Sequence, residues 1–198
     1  KRKMPCHSRL TGTKIRRSFW RFLAAGLVSC WLLSAGKAAG AAAFRDVKDG
    51  NALYQKGDYG QALTKYNDAL NHEPESPEVN YNAGTALYKM GDYKKALTLL
   101  EKSLLSEDPR LREKGYYNAA NTLYRYGLTL EEKDLAQAVS SLGQAQEYYQ
   151  NALEIDDKDK DDHYNYKFVG EELKRLQQKQ KQQQEKEKQQ KKSSEQKP

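Results

Sequence analysis

The sequence predicts an all-α fold in which pairs of helices stack on one another as a solenoid. The main observation is a repeat, in which Gly50–Tyr59 and Gly84–Tyr93 match at an offset of 34 residues. Both copies contain the tripeptide Gly-Asp-Tyr, and the match continues into the alanine and leucine positions beyond it. A constant offset of this length is typical of arrays whose unit is two helices and the turn between them. We therefore expect function to reside in a surface of the array.

Small residues and turn residues in each unit indicate how its two helices meet. Gly50 and Gly84 stand where one helix has to approach its partner closely. Gly57 and Gly91 follow the first helices and can adopt the left-handed conformation that ends a helix. The aspartate after each of these two turn glycines is expected to cap the second helix.

A third unit follows, although its second helix is displaced. Tyr117–Gly127 repeats Tyr81–Gly91 at an offset of 36, and the second-helix match then needs about 13 extra residues. We expect one long helix over residues 134–154. A last Tyr-Asn start at Tyr164 has no second helix after it, which is typical of a helix that caps an array. The prediction is about three repeats, at residues 43–76, 77–110 and 112–156, and a capping helix at 159–176.

These residues and their spacing resemble the tetratricopeptide repeat, the 34-residue member of the solenoid families. Ordinary amphipathic helices that coincide by chance are the alternative, but periodicity and turn chemistry agree over more than one unit. The whole plan, from leader to Gln/Lys-rich tail, is similar to the tetratricopeptide proteins of the bacterial aerotolerance (Bat) type. That resemblance implies a place in the cell envelope beside membrane proteins that carry von Willebrand A domains.

Residues 1–43 have the layout of a secretory signal or a membrane anchor. Basic residues precede an apolar run of 15 residues, Phe22–Gly36, and small residues follow it. This run is short for a spanning helix, but flanking Arg21 and Lys37 can snorkel. Both alternatives place the repeats outside the cytoplasm, periplasmic or anchored facing the periplasm. Cys30 is either a lipidation site or a buried cysteine of the signal.

The net charge of +7 is unevenly distributed along the chain. Residues 1–43 contain nine Lys or Arg and no acidic residue, whereas residues 44–173 contain 16 basic and 24 acidic residues. Residues 174–198 contain nine basic and three acidic residues, and we expect residues 177–198 to be disordered or a frayed helix. This tail is either a solubilising linker or a contact for an acidic partner or an anionic membrane. No aromatic residues alternate with its lysines, so we expect no nucleic-acid partner.

We find no catalytic constellation, and we expect neither enzyme activity, a metal site nor a cofactor. The three histidines lie far apart in the sequence and none has a second metal ligand at a typical spacing. The acidic segment 156–162 lacks the glycine and the distal glutamate of a calcium loop. We interpret it as a solvated connection whose aspartates favour the start of the capping helix.

The candidate site is a groove lined by the first helices of the units. Three asparagines recur at one place in these helices, each directly after a tyrosine, and such a ladder can bond to a peptide backbone. One turn later, polar, aromatic and cationic residues recur in the same way. The candidate groove residues are Asn51, Tyr54, Asn82, Thr85, Tyr88, Lys89, Lys114, Asn118, Asn121, Tyr124, Arg125 and Asn165.

Some tetratricopeptide proteins close a carboxylate clamp around the acidic C-terminus of a chaperone. Asn51, Asn82 and Lys114 match the residues of that clamp. Val47 replaces its first lysine, however, and Asn118 stands where its arginine would be. Losing two of three cations removes most of the charge-assisted bonding to a carboxylate, which argues against a chaperone adaptor.

The sequence thus predicts a non-enzymatic scaffold of the bacterial envelope that binds a segment of a partner protein along this groove. Membrane contact through the leader or the basic tail is compatible with that role. The alternative is a structural bridge in an outer-envelope assembly or a secretion complex.

Overall fold

A computed structural model describes residues 40–195, and within that range α-helices joined by turns are the only regular secondary structure. The all-α prediction is confirmed. Helix α1 occupies residues 40–55 of the described part of the chain. The helices after it are α2 (Tyr59–His72), α3 (Pro77–Met90), α4 (Tyr93–Ser103), α5 (Pro109–Leu130), α6 (Leu135–Ile155) and α7 (Lys160–Glu195).

The turns inside the first two units have the predicted chemistry. Gly57 and Gly91 have φ angles of 81° and 80°, which a side chain would strain. Asp58 then accepts a hydrogen bond from the Gln61 amide at 3.2 Å, and Asp92 begins α4 in the same way. The glycines therefore end α1 and α3, and the aspartates begin α2 and α4.

The packing glycines also lie where the repeat predicts close contact. A Cβ atom on Gly50 would come within 2.6 Å of the Tyr66 ring. A Cβ on Gly84 would lie 2.8 Å from Leu100 Cγ and 3.2 Å from the carbonyl oxygen of Ala96. Each glycine thus allows the first helix of a unit to lie against the second helix of the same unit.

The third unit departs from this arrangement at its turn. Gly127 matches the turn glycine Gly91 in the sequence, yet it lies inside α5, which continues to Leu130. There it allows close packing, because a Cβ on Gly127 would collide with Leu142 of α6. The single long helix expected at residues 134–154 is confirmed as α6, which begins after its cap Asp134.

Two clusters of buried side chains form the core of the array. The first joins α1, α2 and α3, and the second joins α5, α6 and α7. The buried members of the first are Ala43, Ala62, Tyr66, Ala69, Val79, Ala83 and Ala86; those of the second are Ala120, Leu123, Leu135, Ala138, Leu142, Ala145, Tyr149, Val169 and Leu176. Small residues at the helix crossings and large ones beside them are what close helix packing requires.

Helix α7 begins near the expected start of the capping helix and continues to Glu195 without interruption. Residues 177–195 of the Gln/Lys-rich tail are therefore helical, and residues 181–194 are exposed. The predicted leader, including the lipidation site Cys30, lies outside the described residues except for residues 40–43, which belong to α1. Between residues 40 and 195, no helix combines the length and the apolar character needed to cross a membrane.

Candidate peptide-binding surface

The first helices of successive units lie side by side. Besides packing against its sequence neighbours, α3 contacts α5 directly. We call the surface formed by α1, α3, α5 and the beginning of α7 the first-helix face. All twelve of the predicted groove residues lie on these four helices.

A ladder of Tyr-Asn hydrogen bonds connects the units across the first-helix face. Asn118 of α5 donates from Nδ2 to the hydroxyl oxygen of Tyr81 on α3, at 2.7 Å. Asn165 of α7 donates in the same way to Tyr117 of α5, at 3.1 Å. Each tyrosine therefore bonds to the asparagine of the following unit. These two amide groups hold the array together, which is a structural use of residues predicted to bind peptide.

A second pair of hydrogen bonds joins the two helices of single units. The hydroxyl of Tyr66 donates to Oδ1 of Asn51, and that of Tyr149 donates to Oδ1 of Asn121, both at 2.8 Å. The partners are 15 residues apart in the first unit and 28 in the third. The same contact is thus kept although the third unit has a longer connection and a longer second helix.

Asn82 is the groove asparagine whose side chain makes no hydrogen bond to any residue of the described part, 40–195. Its amide is equivalent to those of Asn118 and Asn165, but the tyrosine that would accept its hydrogen bond is missing. The repeat aligns Tyr81 with Val47, and valine has no hydroxyl group. Asn82 therefore keeps both a donor and an acceptor available to a ligand.

A cavity of about 360 Å³ lies beside Asn82. It is lined by residues of α1, α2 and α3: Asn51, Tyr54, Gln55, Tyr66, Tyr81, Asn82 and Thr85. Four of these residues were predicted for the groove. The other three residues, Gln55, Tyr66 and Tyr81, are not among the predicted groove residues. Two features of the sequence could have indicated the two tyrosines. Tyr81 directly precedes Asn82, as in the other Tyr-Asn pairs, and Tyr66 is a tyrosine where the next unit has Leu100.

The tyrosines around this cavity keep their hydroxyl protons at neutral pH. Burial raises the pKa of Tyr66 to about 12, and it also raises the pKa of Tyr81 and of Tyr54. A protonated hydroxyl donates one hydrogen bond and accepts others. The cavity wall is therefore neutral, with aromatic carbon and both kinds of hydrogen-bonding group, which suits a peptide backbone more than a charged ligand.

Thr85, which lines the cavity, donates a hydrogen bond from its hydroxyl group to the Tyr81 carbonyl oxygen at 2.7 Å. The groove residues that do not line the cavity lie further along the first-helix face. Tyr88 packs against Tyr93 with ring centroids 6.0 Å apart, and Lys89 Nζ lies 5.9 Å from the Tyr88 ring. A hydrogen bond with Tyr93 raises the pKa of Arg125.

The last two positions differ in their surroundings. Tyr124 packs edge-on against Phe168 of α7, with ring centroids 5.7 Å apart. Lys114 is exposed near the start of α5. The structure thus brings Asn51, Tyr54, Asn82 and Thr85 together in one place and distributes the other candidates along the face.

Comparison with known proteins agrees with this architecture. The model of the family described as TPR repeat matches residues 50–91, and that described as tetratricopeptide repeat matches residues 77–107. Comparison with curated protein sequences gave no match.

Several solved structures are similar in fold at low sequence identity. The first TPR domain of Spaghetti (RPAP3), bound to the HSP90 peptide SRMEEVD, has a TM-score of 0.56 at 17% identity, covering 68% of this chain and 94% of that one. The second TPR domain of human RPAP3, in complex with an HSP70 peptide, has 0.55 at 13% identity, covering 68% and 98%.

The Sgt2 TPR domain from Aspergillus fumigatus has a TM-score of 0.56 at 15% identity, covering 69% of this chain and 82% of that one. At such identities the likeness concerns the fold. We conclude from the repeat spacing, the turn geometry, the packing glycines and these matches that the described part of this chain is a solenoid that contains tetratricopeptide repeats.

Proposed function

We propose that this protein is a non-enzymatic scaffold that binds a segment of a partner protein on the first-helix face, at the cavity beside Asn82. The observation that carries the proposal is the free amide of Asn82 in a wall of protonated tyrosines. An extended peptide has one donor and one acceptor in each residue, and Asn82 can bond to both. Support also comes from the RPAP3 domains of similar fold, which were solved with bound peptides.

The partner that we propose is a protein of the bacterial envelope, such as a membrane protein with a von Willebrand A domain. This part of the proposal rests on the leader-like segment at residues 1–43 and on the resemblance to Bat-type proteins. An acidic chaperone C-terminus is a poorer ligand, because the cavity wall is neutral and Val47 and Asn118 replace two clamp cations.

Site-specific photo-crosslinking in cells tests the location of binding. A crosslinking residue at Gln55, which is exposed and lines the cavity, should capture the partner. The same residue at Asn71, which is exposed on α2, serves as the matched control and should not. Mass spectrometry of the adduct identifies the bound segment. Equal capture at both positions would contradict binding at the cavity and favour a structural bridge.

The captured segment, made as a peptide, then tests the role of Asn82. Asn82→Ala should weaken its binding by about tenfold or more, since the amide would lose one or two hydrogen bonds to the peptide. Asn71→Ala is the control with the same chemical change on another surface. Both variants should retain the helical circular dichroism of the parent protein.

A further inference from the structure

Asp162, in the first turn of α7, is a buried carboxylate without a partner. Its residue has 0% of its surface exposed, and neither carboxylate oxygen accepts a hydrogen bond from residues 40–195. Buried polar groups are almost always hydrogen-bonded, and an isolated buried carboxylate is very unfavourable in its charged form. The expectation that the whole acidic segment 156–162 is solvated is therefore wrong at this residue.

Two further carboxylates converge on Asp162. Glu113 comes from the first turns of α5, and Asp159 comes from the connection that leads into α7. One carboxylate oxygen from each of the three residues lies within 4.8 Å of the other two. Residues nearly fifty positions apart in the chain thus present three acidic oxygens to one point, where they repel one another unless a proton or a cation intervenes.

No side chain in the described range neutralises this group by direct pairing. The ion pairs of residues 40–195 involve other acidic residues. Lys114, the neighbour of Glu113, acts on that carboxyl only through its charge and is itself exposed. Burial, followed by the charges of Asp159 and Glu113, raises the pKa of Asp162 to about 7. Burial likewise raises the pKa of Glu113.

The oxygens that converge here are free to bind a ligand. Asp159 accepts the amide hydrogens of Asp161 and Asp162 with Oδ1 alone, at 2.8 and 2.9 Å, so its second oxygen is available. Both oxygens of Asp162 are available as well. A hard cation binds carboxylate oxygens, and Ca²⁺ does so at about 2.3–2.6 Å, which places opposite ligands roughly 5 Å apart. The observed separation fits that geometry.

We propose that Glu113, Asp159 and Asp162 bind a calcium ion between α5 and the beginning of α7. The ion joins the third repeat to the helix that caps the array, next to the Asn165–Tyr117 hydrogen bond that joins the same two helices. Three protein carboxylates leave other coordination positions for water, so we expect moderate affinity, with a dissociation constant of about 0.1–1 mM.

Calcium titration of the full chain tests the proposal. After treatment with a chelator, isothermal titration with CaCl₂ at pH 7.5 should show one saturable site, and the midpoint of thermal unfolding should rise with calcium concentration. MgCl₂ should bind more weakly, because Mg²⁺ needs a stricter octahedral geometry. Absence of saturable binding up to about 10 mM calcium, or tighter binding of magnesium, would overturn the proposal.

Two variants separate the site from general electrostatic attraction. Asp162→Asn should raise the dissociation constant for calcium at least about tenfold, since it removes a buried ligand. Asp161→Asn removes the same charge at an exposed neighbouring position and should change the constant less than about threefold. Circular dichroism checks that both variants are folded. If both variants lost calcium affinity equally, the loss would be due to the change in local charge, and the proposed site would be contradicted.

Discussion

Val47 determines which asparagine of the first-helix face is available to a ligand. At the equivalent place in the next two units, Tyr81 and Tyr117 each accept a hydrogen bond from an asparagine of the following unit. Valine cannot do so, and Asn82 remains without such a partner. One missing hydroxyl group therefore distinguishes the asparagine with a free amide from those whose amides connect the units.

Restoring that hydroxyl should close the site. In Val47→Tyr, the new side chain is expected to accept the hydrogen bond of Asn82 as Tyr81 accepts that of Asn118, and to fill the cavity. Binding of the partner segment, measured by fluorescence anisotropy, should weaken about tenfold or more. Val47→Ile is the control, because it adds bulk without a hydroxyl group and should have a much smaller effect. Unchanged affinity in Val47→Tyr would argue against the cavity as the binding site.

Glycine at position 84 has a measurable structural role. Gly84→Ala would place a Cβ 2.8 Å from Leu100 Cγ and 3.1 Å from the Leu100 backbone nitrogen. The backbone of α4 cannot move away from the new Cβ as easily as a flexible side chain could. We therefore expect the free energy of unfolding, measured by urea titration, to fall by about 1–3 kcal/mol.

Gly143 offers the matched control for that substitution. It lies within α6, and a Cβ there would meet no atom of another helix within 4 Å. Gly143→Ala should stabilise the protein by about 0.5–1 kcal/mol, because alanine loses less backbone entropy in a helix than glycine. A stabilised Gly84→Ala variant would show that the close approach of α3 and α4 is not required.

At the scale of single elements, the connection between α5 and α6 holds α7 in place through charges. Arg175 of α7 bonds both oxygens of Glu131, at 2.8 and 2.9 Å, and Lys179 donates to the same carboxylate at 3.0 Å. These hydrogen bonds lower the pKa of Glu131 to about 2. The Glu131 carboxylate thus bonds two cationic side chains, one of them through both of its oxygens. This contact is stronger than an ordinary salt bridge on the protein surface.

The Glu131 contact should make stability depend on pH. A carboxylate whose pKa is lowered in the folded state contributes stability above its unfolded pKa, near 4.5, and loses that contribution as the pH falls toward 2. Glu131→Gln should therefore cost about 1 kcal/mol at pH 7, discounted for the exposure of Arg175. The difference from the parent protein should narrow below pH 4.5.

Glu132→Gln is the control for this measurement. Its side chain is 81% exposed and bonds only Lys179 among the described residues. We expect a smaller effect at pH 7. A Glu131→Gln deficit that stays constant from pH 7 to pH 3 in urea unfolding would mean that packing, and not charge, carries the contribution.

The elements show how far the sequence could predict this structure. Period and turn chemistry are local, so the first four helices and their capped turns follow from the residues themselves. Gly127 shows the limit of this prediction. It aligns with Gly91, which ends α3, yet it lies inside α5 and packs against Leu142 of α6. The second helix of the third unit is displaced in the sequence, so the alignment of the repeats does not indicate this contact.

The site was predictable to a similar extent. Helical spacing predicts that the asparagines share one face, but it does not indicate which of their amides form hydrogen bonds between units. Those bonds join residues 37 and 48 positions apart, such as Asn118 with Tyr81. The convergence of Glu113 with Asp162 is equally remote in sequence, and neither residue has a motif around it.

At the scale of the whole array, α7 has two parts with different surroundings. Its first half closes the second core cluster, where Val169 and Leu176 are 1% and 0% exposed. The side chains of residues 181–194 are exposed, and the sequence there contains only Gln, Lys, Glu and Ser. An array needs a polar outer surface at its end, and α7 supplies both that surface and the last apolar layer beneath it.

This division predicts that, of the two halves of α7, only the first contributes substantially to the stability of the protein. Leu176→Ala should cost about 2–4 kcal/mol, because it leaves a cavity in the second core cluster. Deleting residues 183–198 should leave the thermal midpoint within about 2 °C of the parent value, since the exposed polar helix of residues 183–194 buries no apolar surface. Circular dichroism should record a loss of helical signal in the deletion variant but no change in cooperativity. A deletion as destabilising as Leu176→Ala would instead place the tail within the folding unit, packed against the array.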